Sequence, residues 1–600
     1  MRVFHETVGG EPVTIYVVQH AEDLDQFRDF VRRHLRALAF DTETTGLNLW
    51  SPEFRLRLAQ FGTDREAWVI PVEHGGRFAE DARRTLRAVR QLVIHNASYD
   101  LLVVDRHLGV PMEELWPKTL DTRIIAHLVD PRGRDEGGIG HSLEALVEHH
   151  IDTTVAQDIK GLMRTLAREL KTTLSKVWAT VDLDHPDYNR YAGMDPILTA
   201  RLARTLLPKV PVSARRLVPF EHSVAEICSH MEREGFLLDV EYTQELSTRL
   251  QQGEEQHKET ARELGCENVN STEMVADALE KMGVKILGRT PSGRRQVDKT
   301  LLNQLSQAGN PLATAVKEAK KAGKWRKTWV DGFLAARDGN DRCHASIQSL
   351  RARTARMSIT GIPAQTLPAG DSIIRRCFLA DAGHVIASVD YQAQELRVLA
   401  ALSGDRTMIN AFRDGADLHM LTAKAAFGEE ASDKHRKIAK TVNFGRVYGG
   451  GAKTVSTQTG IDLAIAKRVV EAFDRRYPGV AKLSERLQAQ ARRQGYITTP
   501  SGRRLPVDRS RAYSALNYLV QSTSRDVTCR GLIRLHRAGY TRYLRLPIHD
   551  EVVASLPAAK AEWGAKEIAR HMAEDMGPVH IGTDPEVGGR SWGSLYGADY

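Results

Sequence analysis

Short runs of β-branched and aliphatic residues punctuate the first two hundred positions. LRALAFDTETTG, EAWVIPV and QLVIHNAS alternate with stretches of helical spacing, and that alternation predicts an α/β domain. LLPKVPVSARR, with Pro208 and Pro211, reads as a linker. From about 213 to 345 the pattern is helical and heavily charged, with a basic cluster in VKEAKKAGKWRKTW. HVIASVD then predicts a strand, followed by helices to about 480 and a glycine-containing turn in TTPSGRRLPV. YLRLPIHDEVVASLP has two β-rich arms around a polar pair and predicts a hairpin. No repeat or low-complexity segment interrupts this order, so the chain is multidomain with at least two α/β units.

Composition narrows the function classes. Six hundred residues with 42% hydrophobic side chains can bury several cores, enough for three to five domains. The five cysteines (Cys228, Cys266, Cys343, Cys377, Cys529) stand singly, which argues against a zinc ribbon or disulfide framework and fits a reducing compartment. No apolar run approaches the roughly 18 residues of a membrane span, and the first residues lack the apolar core of a signal peptide. A formal charge of +8 suits a protein that holds a polyanion, although many ordinary enzymes are as basic.

The first chemical constellation lies in the N-terminal α/β pattern. FDTETTG sets Asp41 and Glu43 two apart, on one face of a strand. HNASYD sets Asp100 four after Asn96, and YAGMD sets Asp195 four after Tyr191, spacings that pair side chains on a helix face. An isolated DxE is an exposed edge; four gathered acids instead call for divalent cations. Two hard ions, Mg²⁺ or Mn²⁺, held by carboxylates serve in-line attack on a phosphodiester, with a tyrosine to orient the attacking water. Asp41–Glu43, Asp100 and Tyr191…Asp195 resemble the three blocks of the DEDD proofreading 3′–5′ exonucleases in the variant that carries tyrosine. Asp121, in TLDTRIIAHLVD, falls where such domains often have an aspartate, and both a site role and a structural hydrogen-bonding role fit it.

The second constellation is C-terminal. HVIASVDYQAQELRVLA runs a strand into Asp390, and Asp550 and Glu551 sit at the predicted hairpin tip, giving a second pair of metal carboxylates. Between them RKIAKTVNFGRVYGG spaces Arg436, Lys440, Phe444 and Tyr448 four apart. Such positions drift about 40° per step around a helix and form one stripe. An amphipathic helix would set its cations opposite its rings; here they share a side. A nucleoside triphosphate fits, with phosphates on Arg436 and Lys440 and base and sugar on Phe444 and Tyr448. Gly449, Gly450 and Gly451 end the helix.

VDYQAQELR, RKIAKTVNFGRVYG and PIHDEV together resemble the polymerase blocks of the family A DNA polymerases, the DNA polymerase I group. RTARMS, DLHMLTA and NYLVQSTSRD resemble further segments of that family, and the resemblance covers essentially the whole chain. It implies a multidomain α/β and α+β chain: an RNase H-like exonuclease domain (1–212), then a right hand with thumb (213–345), palm (346–405 and 515–600) and fingers (406–514). With its first acid block at residue 41 the chain is similar to the Klenow fragment and to bacteriophage polymerases, which implies no 5′ nuclease, a phage source and a host-cell cytoplasmic location. The implied partners are primer-template DNA and dNTPs, with room for replication accessory proteins and no membrane.

The resemblance also assigns roles. Asp390, Asp550 and the main-chain carbonyl of Tyr391 bind two Mg²⁺, and Lys440 protonates the leaving pyrophosphate. Arg436 and His419 contact phosphates. Glu395 excludes the ribose 2′-OH, which argues against a single-subunit RNA polymerase. Phe444, a position that is Phe or Tyr in the family, sits beside the nucleotide sugar. Arg356 and Gln521 read the minor groove, His549 lies beside the primer end and Glu551 beside the metals. KKAGKWRKTW tracks phosphates or is a solvated face. An RNase D-like exonuclease with an unrelated tail conflicts with Asp550 and the nucleotide helix, and a catalytically dead scaffold with intact carboxylates at both sites. Thr366, Gln392–Ala393, Arg446 and Tyr513 depart from the family pattern, and the sequence offers no account of Arg446.

Overall fold

The computed structural model describes residues 1–600 apart from Pro291, Ala369 and Tyr448 and the side chains of residues 158–160, 458 and 459. Tyr448 of the nucleotide stripe therefore lies outside the described residues.

The N-terminal runs form one mixed sheet of seven strands. They are β1 (Arg2–Val8), β2 (Glu11–Val17), β3 (Leu38–Thr44), β4 (Leu56–Gly62), β5 (Glu66–Ile70), β6 (Leu92–Ile94) and β7 (Thr119–Asp121), in the order β1-β2-β5-β4-β3-β6-β7. Helices α1 (Ala97–His107), α2 (Thr122–Val129) and α3 (Pro186–Leu206) follow from this frame. One face buries Phe40, Phe61, Trp68 and Leu101, and the other buries Ile15, Leu58, Val69, Tyr188 and Ile197. With a core on each face, β3 reads as a nearly continuous buried run and not as a half-buried one. Gly193 lets α3 approach closely: a Cβ there would lie 2.2 Å from Ile15 Cγ2.

Helices α4 (Leu217–Glu234), α5 (Val240–Glu263) and α6 (Pro311–Lys324) come next. Strand β8 (His384–Tyr391) then leads into helices α7 (Gln394–Ser403), α8 (Leu418–Phe427), α9 (Asp433–Val447), α10 (Leu463–Arg476) and α11 (Ala515–Arg537). The chain closes with β9 (Leu544–Ile548), β10 (Glu551–Pro557) and β11 (Thr583–Val587). An antiparallel sheet of order β9-β10-β8-β11 results, and it packs into the largest core with α11.

The proline segment read as a linker is packed. It forms two 3-10 turns, Leu207–Lys209 and Val212–Ala214, with Val210 and Ala214 buried. The Ser213 hydroxyl donates to the Gly502 carbonyl at 2.9 Å, and Gly502 takes φ 90° with no room for a Cβ, which would lie 1.9 Å from Ser213 O. Leu217, Ala225, Leu350 and Ala355 also join the core of the first sheet, so the two halves of the chain pack as neighbours. KKAGKWRKTW meets an acid from another helix. Glu254 of α5 is buried and accepts from Lys258 (2.7 Å), Arg326 (3.2 Å) and Lys327 (3.3 Å). Burial pushes its pKa up, but these partners hold it down at about 2. Arg326 and Lys327 are thus engaged within the protein.

Candidate active sites

β3 delivers Asp41 and Glu43 to one side of the first sheet, and α3 brings Asp195 to meet them. One ligand oxygen from each of the three carboxylates lies within 4.8 Å of the others. A register shift against β4 falls at Glu43/Thr44, a local irregularity of the kind that re-aims side chains next to sites. Asp100, in the first turn of α1, stands outside that tight group and is anchored by Thr42, whose hydroxyl donates to it at 2.6 Å. Burial, then the neighbouring carboxylates, raise Asp41, Glu43 and Asp100 well above the ordinary range. Asp195 is raised by burial and partly relieved by a hydrogen bond from Tyr191, one turn earlier on α3. A cleft of about 770 Å³ opens on Asp41, Tyr191 and Asp195.

Asn96 does not share a helix face with Asp100. It is the N-cap of α1 at φ 66°, and its side chain accepts from Arg123 Nη1 at 2.6 Å. Asp121 makes the structural hydrogen bonds open to it. Its carboxylate accepts from the backbone N–H groups of Asn96 (3.0 Å), Ala97 (2.9 Å) and Arg123 (2.8 Å), capping α2 and holding the start of α1.

The second sheet gathers the other acids. Asp390, near the end of β8, lies opposite Glu551 on β10 and Asp584 on β11. His549 and Asp550 make the tight turn between β9 and β10, with His549 at φ 56°. Left-handed backbone at a non-glycine residue is strained and concentrates at functional sites; Ala393, at φ 47° just after β8, is a second case. The Asp550 carbonyl accepts the Tyr391 N–H at 3.0 Å, locking the two ends together. Burial, then Asp550 and Glu551, raise Asp390 to about 7, and burial raises Asp550 and Glu551. Ser388 Oγ donates to Glu551 at 2.6 Å. Arg356, Gln521, His549, Asp550 and Glu395 share one small cleft, in which Arg356 pairs with Glu395. Gln521 accepts from Thr354 Oγ1 at 3.3 Å.

Helix α9 buries Ala439 and Val442 in its own small core. Arg436 and Phe444 are half-buried and Lys440 is exposed along the other side, so this stripe is not the face that packs in that core. Arg436 pairs with Asp417, the N-cap of α8. His419 lies beside Phe444, with ring centroids 5.7 Å apart. Asn443 Nδ2 lies 3.1 Å from His419 Nδ1. Burial, with Lys440 and Arg436 nearby, lowers His419 to about 4. The helix ends at Val447, and Gly450 N–H returns to the Gly445 carbonyl at 2.8 Å.

A family model for DNA polymerase family A matches residues 240–594, and a 3′–5′ exonuclease model matches residues 18–211. The chain belongs to DNA polymerase family A. It is a DNA polymerase that carries a 3′–5′ exonuclease domain. It is 61% identical to the DNA polymerase of Mycobacterium phage D29 over 99% of both chains, and 59% identical to that of Mycobacterium phage L5 over 99% of both. Its fold matches the POL domain of Pol1 from M. smegmatis, in a complex with DNA primer-template and dNTP, with a TM-score of 0.76 at 20% identity over 97% of this chain and 99% of that one. Polymerases and exonucleases of these families are metal-dependent, and the hard oxygen donors of both acid groups suit divalent cations. Among the described residues no helix is long and apolar enough to cross a membrane.

Sequence reasoning about this polymerase missed several neighbours of its sites. Asp584 reaches Asp390 only through sheet pairing, and nothing in TDPEV signals it. Arg446 now has an account: it binds Asp474 of α10 at 2.7 Å and the Gly450 carbonyl at 3.3 Å, tying down the end of α9. Glu144 lines the 770 Å³ cleft, and its charge reaches Asp195 and Tyr191.

Proposed function

We propose that extension and proofreading run at two separate carboxylate centres, Asp390–Asp550 for synthesis and Asp41–Glu43–Asp100–Asp195 for 3′ hydrolysis. One observation carries this reading. The chain has 84 lysines and arginines, yet among the described residues none of these six acids forms a salt bridge, although all of them titrate high. Clustered carboxylates without a salt-bridge partner suit metal ions. We assign Mg²⁺ as the ion at both centres, two per site, with Mn²⁺ as a substitute. When bound, the ions lower the pKa of the attacking hydroxyl or water and take up charge on the leaving oxygen.

The chain's own groups do the rest. In the exonuclease cleft Tyr191 turns its hydroxyl from Asp195 to the attacking water. At the polymerase centre the Tyr391 carbonyl adds a ligand and Ser388 steadies Glu551 beside the metals. Lys440 supplies the proton to the departing pyrophosphate. Neutral His419 offers a ring N–H to a phosphate, and Arg436 exchanges Asp417 for another. Arg356 leaves Glu395 to read the minor groove with Gln521 when primer-template DNA arrives, and His549 borders the primer end. The division into exonuclease (1–212), thumb, palm and fingers follows from this assignment, as do dNTPs as substrates.

Sugar selection tests the polymerase half. Glu395, freed from Arg356, packs against C2′ and leaves no volume for a hydroxyl. Glu395→Ala is expected to lower the dGTP over GTP ratio of kcat/KM by roughly a hundredfold, the discrimination a pocket achieves against one added hydroxyl. An unchanged ratio removes Glu395 from the sugar. Phe444→Tyr places a hydroxyl where a dideoxynucleotide lacks its own. A hydrogen bond to a charged group contributes about 1.5–3 kcal/mol, so ddTTP use relative to dTTP rises by about ten- to a hundredfold. If competitive incorporation shows no rise, Phe444 only packs in the core.

A further inference from the structure

The segment QSLRARTARMS carries three arginines with three different surroundings. Arg353 is buried, pairs with Glu136 at 3.2 Å and lies over the Tyr518 ring at 5.5 Å. Arg356 pairs with Glu395 at the polymerase centre. Arg351 is exposed and, among the described residues, meets no carboxylate. It belongs to the polymerase half of the chain, yet it lines the 770 Å³ exonuclease cleft with Asp41, Tyr191 and Asp195. It also lines an adjoining groove of about 510 Å³ that runs along residues 133–142.

Its backbone position is held firmly. The N–H groups of Arg351 and Ala352 both donate to the Arg356 carbonyl at 3.2 Å, and Ala355 closes the turn at φ 65°. The His127 ring meets the Ala352 carbonyl at 3.1 Å, and Leu350 and Ala355 sit in the core of the first sheet. The loop is therefore fastened to the exonuclease domain.

Other cationic groups lining the cleft are differently placed. Arg123 is held by Asn96 at 2.6 Å and Gln348 at 3.1 Å. His95 and His141 are lowered by burial, His95 to about 4, so both are neutral near pH 7. A nucleic-acid 3′ end entering an acid-lined cleft needs a cation at the rim to offset repulsion of its phosphates, and a guanidinium suits a phosphate through paired hydrogen bonds.

We propose that Arg351, supplied by the polymerase half of the chain, grips a backbone phosphate of the single-stranded 3′ end in the exonuclease cleft. This rests on Asp41, Glu43 and Asp195 being the hydrolytic centre. Arg351 positions the strand and does not touch the reacting atoms.

The test uses the full chain, single-stranded oligo-dT and a range of salt. Arg351→Ala is expected to raise KM for shortening by about tenfold, as befits a lost charged hydrogen bond, with kcat and extension of a paired primer little changed. Arg351→Lys recovers most of the loss. The slope of log(1/KM) against log salt becomes shallower by about 0.7, the value for one phosphate on a single strand. Methylphosphonates placed singly at the linkages nearest the 3′ end identify the phosphate: one neutral linkage weakens the wild type and has no effect on Arg351→Ala. The proposal is overturned if KM and slope do not move, or if no linkage separates the two proteins. Asp41→Ala serves as the control. Shortening that survives it places the hydrolytic centre elsewhere; shortening that it abolishes, with Arg351→Ala behaving normally, removes only the phosphate grip.

Discussion

Asp390→Ala and Asp550→Ala each abolish primer extension and leave shortening of single-stranded 3′ ends intact, while Asp41→Ala with Glu43→Ala does the reverse. The expectation follows from where the side chains sit. Asp390 and Asp550 belong to β8 and the β9–β10 turn of the four-stranded sheet, whereas Asp41 and Glu43 belong to β3 of the seven-stranded one. Each pair stands on its own core, so neither substitution reaches the other centre through packing. Metal-assisted charge stabilisation contributes several kcal/mol, and about 4 kcal/mol corresponds to roughly a thousandfold in rate. Folding is preserved, because none of these changes breaks a salt bridge among the described residues and each removes a carboxylate whose charged form is disfavoured by its surroundings. The measurement is extension of a paired primer and degradation of a single strand by each variant, with melting temperature in EDTA as the folding check. A single substitution that silenced both activities in a folded protein would end the two-centre reading.

Glu221→Gln is expected to produce the largest loss of stability. Glu221 of α4, Arg503, and Arg525 and Asp526 of α11 form a cluster of two anions and two cations whose side chains are at most 3% exposed. Arg525 binds both Glu221 oxygens at 2.7 Å, and Arg503 bridges Glu221 and Asp526. Ser501 donates to Asp526 at 2.6 Å, and Arg525 donates to the Ser349 carbonyl at 3.0 Å. Neutralising Glu221 leaves two buried guanidinium groups sharing one carboxylate. Breaking a buried ionic cluster in this way costs about 3–5 kcal/mol. A lower melting temperature and loss of extension before loss of exonuclease activity are the expected signs, since α11 lies in the polymerase core. Glu221→Leu combined with Arg525→Leu restores much of the loss, because the remaining Arg503–Asp526 pair is balanced. A double variant no more stable than Glu221→Gln would show that packing, not charge balance, holds this junction.

Local periodicity made a large part of this protein readable from its residues. Asp41 and Glu43 share a face because side chains on a strand repeat every two residues, and Tyr191 meets Asp195 because a helix brings i and i+4 together. The same rule set Arg436, Lys440 and Phe444 along one side of α9, and the two β-rich arms were enough to predict the hairpin, although its tip is His549–Asp550 and not Asp550–Glu551, because Glu551 pairs with Ile548 as the first residue of β10. The tertiary structure decided the pairings made across long stretches of chain. Asn96 and Asp100 have helical spacing, but Asn96 turned left-handed toward Arg123, and the N–H groups left open at the starts of two helices engaged Asp121. Arg326 and Lys327 look like free cations until α5 presents Glu254, and Arg446 has no partner until α10 presents Asp474. Asp584 meets Asp390 only when β11 joins the sheet, and Arg351 meets the exonuclease cleft only when the two halves of the chain pack together. Backbone geometry repeats over a few residues and leaves its imprint in sequence spacing; a charge finds its distant partner through packing, which no local pattern records.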